Sequence, residues 1–249
     1  MGLPSMRRIL TICVTLMCLF DSASAQNDKD IHVIAMFPIP LMIESENEGL
    51  FVELTRSLAK RANIDIRIEV NPAKRSLSRF MQGQVDGLFP ALDSHFPPGY
   101  VIAQTEQPVY VKQDFAFTRI KQPTIKNLED LNGLRVGITR GYPYGNAITQ
   151  NPNISLDTAN SDELGMQKLV AGRIDAFIVE KNSGLTALRH TQLSEQVHYD
   201  PQYPISSQPV FYAFQHSENG KRLAILFSNA FKQMQRDGSF ETLFMKMKR

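Results

Sequence analysis

Two copies of one short pattern constrain this chain more than any other feature. Phe80-Met81-Gln82-Gly83-Gln84-Val85-Asp86-Gly87 runs into the apolar Leu88 to Leu92, and Leu169-Val170-Ala171-Gly172-Arg173-Ile174-Asp175-Ala176 runs into Phe177 to Val179, 89 residues later. Each reads as the end of an amphipathic helix, a glycine free to take the left-handed conformation that closes it, then an Asp and a buried strand. Both aspartates directly follow these turns and read as turn caps rather than acids. A helix-to-strand joint built twice implies two α/β lobes in one chain. The cleft between such lobes is where a small ligand binds.

The rest of the chain alternates in the same way. Ile31 to Met36 and Ile64 to Val70 have strand character, and Leu50 to Ala62 between them carries Leu50, Phe51, Leu54, Leu58 and Ala59 at helical spacing. Ser76 to Met81 reads as helix, Gly87 to Leu92 as strand, Pro97-Pro98-Gly99 as a break, and Val109 to Thr118 as a long strand. After Pro123 the unit restarts: Asn127 as a cap, strand Leu134 to Thr139, helix Asp162 to Ala171, strand Ile174 to Val179 and helix Ser183 to His190. Strands Gln196 to Tyr199 and Val210 to Phe214 follow, and helices Lys221 to Arg236 and Phe240 to Met247 close the chain. The expected fold class is α/β: two open α/β lobes with helices on the faces of each sheet.

The N-terminus has a secretory pattern. Arg7 and Arg8 supply a positive region, Ile9 to Phe20 an apolar run too short to span a membrane, and Ala23-Ser24-Ala25 a small-residue cleavage site before Gln26. Met17 stands before Cys18 where a lipid-anchor signal needs a small residue, so the expected product is unlipidated, soluble and periplasmic. Both cysteines, Cys13 and Cys18, fall in the removed segment, which leaves neither disulfide nor Cys-ligated metal. Removing Arg7, Arg8 and Asp21 from 27 basic and 25 acidic residues leaves 25 and 24, and a net charge of +1 gives no case for nucleic acid. The five histidines are scattered singly, without metal-ligand spacing, and no cofactor motif occurs.

Six segments in order resemble one family, the extracellular solute-binding proteins of family 3, periplasmic receptors of polar amino acid ABC transporters with the type II periplasmic-binding fold. They are Ile31 to Pro40, Gly49 to Leu54, the first joint, Leu131 to Gly137, the second joint, and Met234 to Ser239. The resemblance covers nearly all of the chain after the signal. It implies a signal peptide over 1–25, lobe one from 26–113 and 210–249, lobe two from 114–209, and a two-segment hinge that closes on ligand in the manner of a Venus flytrap. It also implies a monomer that hands a small polar solute, an amino acid or related carboxylate, to an inner-membrane permease or sensor.

The family's ligand residues carry over in part. Its ammonium-gripping acid lies five positions after the second joint's Asp, which places Glu180 there. Its carboxylate-gripping Arg follows the first joint by about a dozen residues, and Ser94 to Gly99 contains none; the small hydroxyl residues before it are replaced by Pro90-Ala91-Leu92-Asp93. Arg75, in Asn71-Pro72-Ala73-Lys74-Arg75, resembles the Pro-x-x-Arg of another branch and sits at a strand-to-helix turn, where it can bind a carboxylate bidentately. Lys74 and Arg75 read equally well as a solvated turn. Phe37 is expected as an aromatic shelf under the ligand, or as ordinary core. Arg140 and Tyr142, with Tyr144, lie beyond the carboxyl end of a strand, where open α/β sheets bind ligands, and read otherwise as a surface charge and loop packing.

The expected ligand set is therefore Phe37, Arg75, Asp93, Arg140, Tyr142 and Glu180. The reading from another class is an enzyme on the same scaffold, since cyclohexadienyl dehydratases resemble these receptors; Glu180 and Asp93 are its candidate acids, though no recognisable catalytic pair stands out.

Overall fold

Each short apolar run of the sequence becomes a strand of one curled sheet. The structure is a computed structural model and describes residues 31–245; the expected signal segment over 1–25, with Cys13 and Cys18, and Met247 lie outside the described residues. In chain order the strands are β1 (His32–Met36), β2 (Ile66–Val70), β3 (Gly87–Ala91), β4 (Ala103–Gln104), β5 (Tyr110–Arg119), β6 (Arg135–Thr139), β7 (Ser155–Ala159), β8 (Ala176–Glu180), β9 (Val197–His198) and β10 (Ser206–Phe214). The helices are α1 (Leu50–Ala62), α2 (Ala73–Met81), α3 (Asn146–Thr149), α4 (Asp162–Val170), α5 (Lys181–Thr191), α6 (Glu218–Arg236) and α7 (Ser239–Met245).

The strand order β2-β1-β3-β10-β5-β8-β6-β7 separates two parallel groups by two antiparallel strands. β1 runs parallel to β2 and β3, and β6 parallel to β7 and β8. β10 pairs through Ser206–Val210 with the start of β5, and beyond that with β3; β5 pairs from Asp114 onward with β8. Two strands thus pass from one half of the sheet to the other, and they are the two-segment hinge of a pair of α/β lobes.

Each lobe buries its own core on both sheet faces. In lobe one Ile34, Met36, Phe89, Tyr212 and Phe214 pack under α1 and α6, while Ala35, Leu88 and Ala213 face Phe80 and Val85 on the other side. In lobe two Phe115, Phe117, Phe177 and Val179 meet Met166 and Leu169 of α4, while Ala116, Val136 and Ile178 turn to the opposite cluster. Residues of alternate parity go to opposite faces because strand side chains alternate, and both faces are apolar because helices cover parallel sheets on both sides.

The repeated joint is one structure built twice. Gly83 (φ 70°) and Gly172 (φ 72°) close α2 and α4, and the next residues, Gln84 and Arg173, donate back to the carbonyls of Arg79 and Lys168. Asp86 Oδ2 accepts from Val33 N at 2.8 Å, and Asp175 Oδ2 from Arg135 N at 3.0 Å, while each Asp N–H donates to the carbonyl of that same residue. Both carboxylates therefore clamp the start of the neighbouring parallel strand and face away from acid chemistry. A Cβ at Gly83 or Gly172 meets nothing within 4 Å, so alanine carries only the backbone penalty of a left-handed residue. Gly83→Ala and Gly172→Ala are each expected to cost about 1 kcal/mol, measured by urea unfolding. A markedly unequal pair of values would break the equivalence of the two joints.

Some elements differ from the sequence reading. β7, with only Ala159 buried, lacks an apolar run because it is an edge strand. α2 starts at Ala73, which puts Lys74 and Arg75 in its first turn. β10 starts at Ser206 rather than Val210, because its polar first half pairs at the hinge. α1 has its expected bounds and buries all five of its periodic apolar residues.

Candidate functional site

A cavity of about 380 Å³ lies between the lobes, within the size range of small-molecule sites. Its walls come from segments after the carboxyl ends of β1, β2, β3, β6 and β8, where open α/β sheets present their loops. Lobe one contributes Phe37 to Ile39, Met42, Phe51, the first turn of α2, Pro90, Leu92 and His95; lobe two contributes Arg140 to Pro143, Glu180 and Ser183. Tyr110, Lys112 and Val210 of the hinge strands form the back.

Glu180 caps α5. Its Oε2 accepts from the backbone N–H of Asn182 (2.9 Å) and Ser183 (3.0 Å), and its Oε1 takes the Tyr110 hydroxyl (3.3 Å) and Asn182 Nδ2 (3.2 Å). Burial pushes its carboxyl above the ordinary range, against the pull of those backbone donors and of Lys112. Burial also raises the Tyr110 and Tyr142 hydroxyls, helped by Glu180 and Asp162 respectively, so both are proton donors at neutral pH. Tyr142 donates to Asp162 Oδ2 at 3.2 Å, and Asp162 is itself buried beside the Thr139 hydroxyl.

Lys112 is held from behind. Its Nζ lies 2.6 Å from Oδ2 of Asp114, a wholly buried carboxylate that also accepts from Ser206 Oγ at 2.6 Å. The i, i+2 spacing puts Tyr110, Lys112 and Asp114 on one face of β5, which turns toward the cleft.

His95 sits edge-on to Phe37, ring centroids 5.8 Å apart, and its Nδ1 accepts from Leu92 N, which leaves the proton of the neutral ring on Nε2. Burial, with the nearby Lys112 charge, lowers its pKa from 6.5 to about 4. Between those values the unfolded chain binds a proton that the folded chain refuses, so stability is full above pH 6.5 and falls as pH drops toward 4. The expected loss is about 3 kcal/mol. Urea unfolding of wild type and His95→Gln at pH 7 and pH 4 measures it; an equal acid loss in both would show that His95 does not carry it.

The structure brings together Phe37, Arg140, Tyr142 and Glu180. It does not bring Arg75 or Asp93 to the cavity: Arg75 is exposed on α2, where its neighbour Lys74 takes the wall position, and Asp93 is exposed at the start of the turn that carries His95 inward. Tyr144 is buried, donating to the Ile178 carbonyl and accepting from Thr139 N, and acts as a strut. The sequence reading missed His95, Tyr110 and Lys112. His95 lies in the very stretch where the resemblance places an Arg and this sequence has none, and Tyr110 and Lys112 carry no local signal that marks their face of β5.

This architecture is that of the type II periplasmic binding proteins. A histidine kinase sensor domain with similarity to periplasmic binding proteins superposes with a TM-score of 0.70 at 20% identity, covering 88% of this chain and 96% of its own. No family model matches the chain. Its curated relatives bear out the resemblance to solute-binding proteins. The probable amino-acid-binding protein YxeM of Bacillus subtilis is 21% identical over 240 residues, 91% of this chain and 86% of that protein. The L-cystine-binding protein TcyJ of Escherichia coli is 28% identical over 131 residues, a match spanning just under half of either chain.

Proposed function

We propose that this protein is a periplasmic solute-binding receptor that captures a small carboxylate-bearing solute, an amino acid or a related acid, and delivers it to an ABC transporter. The carrying observation is that one cavity takes walls from both lobes and from both hinge strands. A ligand touching all of them stabilises the closed arrangement relative to any open one, and shifts the population toward the shape a permease recognises. The relatives support a solute-binding role, and the secretory pattern before Gln26 supports export. In this reading lobe two spans 114–209, the chain acts as a monomer, and Phe37, Tyr142, Arg140 and Glu180 contact the solute, with Lys74 supplying the cation first sought in Arg75.

Thermal unfolding of the mature protein against a panel of amino acids and small carboxylates tests the reading. A bound solute at 100 times its Kd adds about 2.7 kcal/mol of stability. A melting temperature unmoved by every member of the panel would overturn it.

A further inference from the structure

The walls of the cavity do not suit a zwitterion. Three cationic side chains line it, Lys74, Lys112 and Arg140, against the single carboxylate of Glu180. Asp114 neutralises Lys112 from behind the wall, and Asp162 is held one layer back by the Thr139 and Tyr142 hydroxyls. Lys74 has no ion-pair partner among the described residues, and Arg140 spends only its Nε, on Asn160 Oδ1. Both are exposed, one from each lobe, with guanidinium and ammonium donors still to be matched.

Glu180 offers no matching acceptor. A carboxylate has about four lone-pair sites, and the two backbone N–H groups, the Tyr110 hydroxyl and the Asn182 amide already address them. An ammonium placed there has to displace one of these donors. Most of the rest of the wall is apolar or aromatic, with Phe37, Met42, Phe51, Leu77, Leu92 and Val210 among its residues, and its further polar groups, such as the Ser183 hydroxyl and the His95 ring, are neutral. An ammonium left among these groups has no free carboxylate to meet it, and a desolvated charged donor without a counter-charge is costly.

We infer that the solute is a monoanionic carboxylic acid with an apolar body, taken in preference to the α-amino acid of the same skeleton. Its carboxylate meets Lys74 and Arg140, and its apolar body fills the space between Phe37 and Val210. The inference rests on the solute-binding reading and narrows it.

Calorimetry on the mature protein tests it with paired probes that differ only in the α-ammonium: 3-phenylpropionate with L-phenylalanine, indole-3-propionate with L-tryptophan, and 4-methylpentanoate with L-leucine, alongside L-glutamate and L-arginine. In the tightest-binding pair the acid is expected to bind at least about tenfold more tightly than the amino acid, the ratio that one stranded donor produces. Lys74→Ala with Arg140→Ala is expected to weaken the acid by a further tenfold or more, while leaving the melting temperature of the free protein unchanged, since both side chains are exposed. An amino acid that binds as tightly as its deaminated partner, or L-glutamate or L-arginine as the tightest ligand, overturns the inference and leaves the receptor reading intact. Binding of no probe at all overturns the inference, and the broader stability panel then decides whether the receptor reading falls with it.

Discussion

Asp114→Ala is expected to destabilise the protein by about 3 to 5 kcal/mol, because it leaves the Lys112 ammonium buried at the hinge without its counter-charge. The Asp114 side chain is wholly inaccessible and that of Lys112 is 12% exposed, so water from the cavity replaces only part of the lost counter-charge. The Ser206 hydroxyl and the Gln208 amide lose an acceptor in the same step. Asp114 also stands between Ser206 of β10 and Glu180 of β8 in the ladder, so disorder there spreads to the cap of α5 and to the cavity. Urea unfolding of Asp114→Ala and of the double variant Lys112→Met with Asp114→Leu checks this: the double variant is expected to recover much of the loss, since removing both charges strands neither. A loss below about 1 kcal/mol in the single variant would mean that Lys112 finds another partner, and the hinge would not depend on the pair.

Phe177→Ala is expected to cost a similar amount, about 3 to 5 kcal/mol, for an apolar reason. The ring is fully buried in lobe two, and two glycines make room for it. A Cβ on Gly165 of α4 would lie 2.2 Å from the ring, and one on Gly137 of β6 would lie 2.9 Å from it. Helix and strand thus approach each other through the aromatic plane, and an alanine in its place leaves a void that neither glycine can fill. The same contacts predict coupling: Gly165→Ala is expected to destabilise the wild type but to be far better tolerated in the Phe177→Ala background, where the space is open. Chemical unfolding of the four proteins in the cycle measures this. Additive losses would place the Gly165 effect in the helix rather than against the ring.

Legibility followed sequence distance. The joint at Gly83–Asp86 and its copy at Gly172–Asp175 were readable because a left-handed glycine and a following capping Asp are local chemistry. The reading even separated clamp from acid, since Asp86 and Asp175 hold Val33 and Arg135. Glu180 was singled out because the resemblance places an acid five positions after Asp175, yet the resemblance said nothing of the four donors that occupy it. Arg75 was preferred to Lys74 because Pro72 to Arg75 resembles the Pro-x-x-Arg of another branch, and because guanidinium matches a carboxylate better than ammonium. One residue's difference along a helix is a turn of about 100°, and that turn carried Arg75 into solvent.

The sequence by itself determined that this chain makes two α/β lobes with strands buried on both faces, because periodicity, glycine turns and apolar runs are properties of a few neighbouring residues. Only the tertiary structure decided which residues share the cavity. His95 enters it through a short turn after β3, and Tyr110 and Lys112 enter through the face that β5 presents once it pairs with β10 on one side and β8 on the other. Both placements depend on pairings between segments some 60 to 100 residues apart, such as Asp114 with Glu180 and Val210 with Tyr110. No local pattern encodes them, because a strand's two faces are equivalent until its neighbours set the register and give one face a core and the other a cleft.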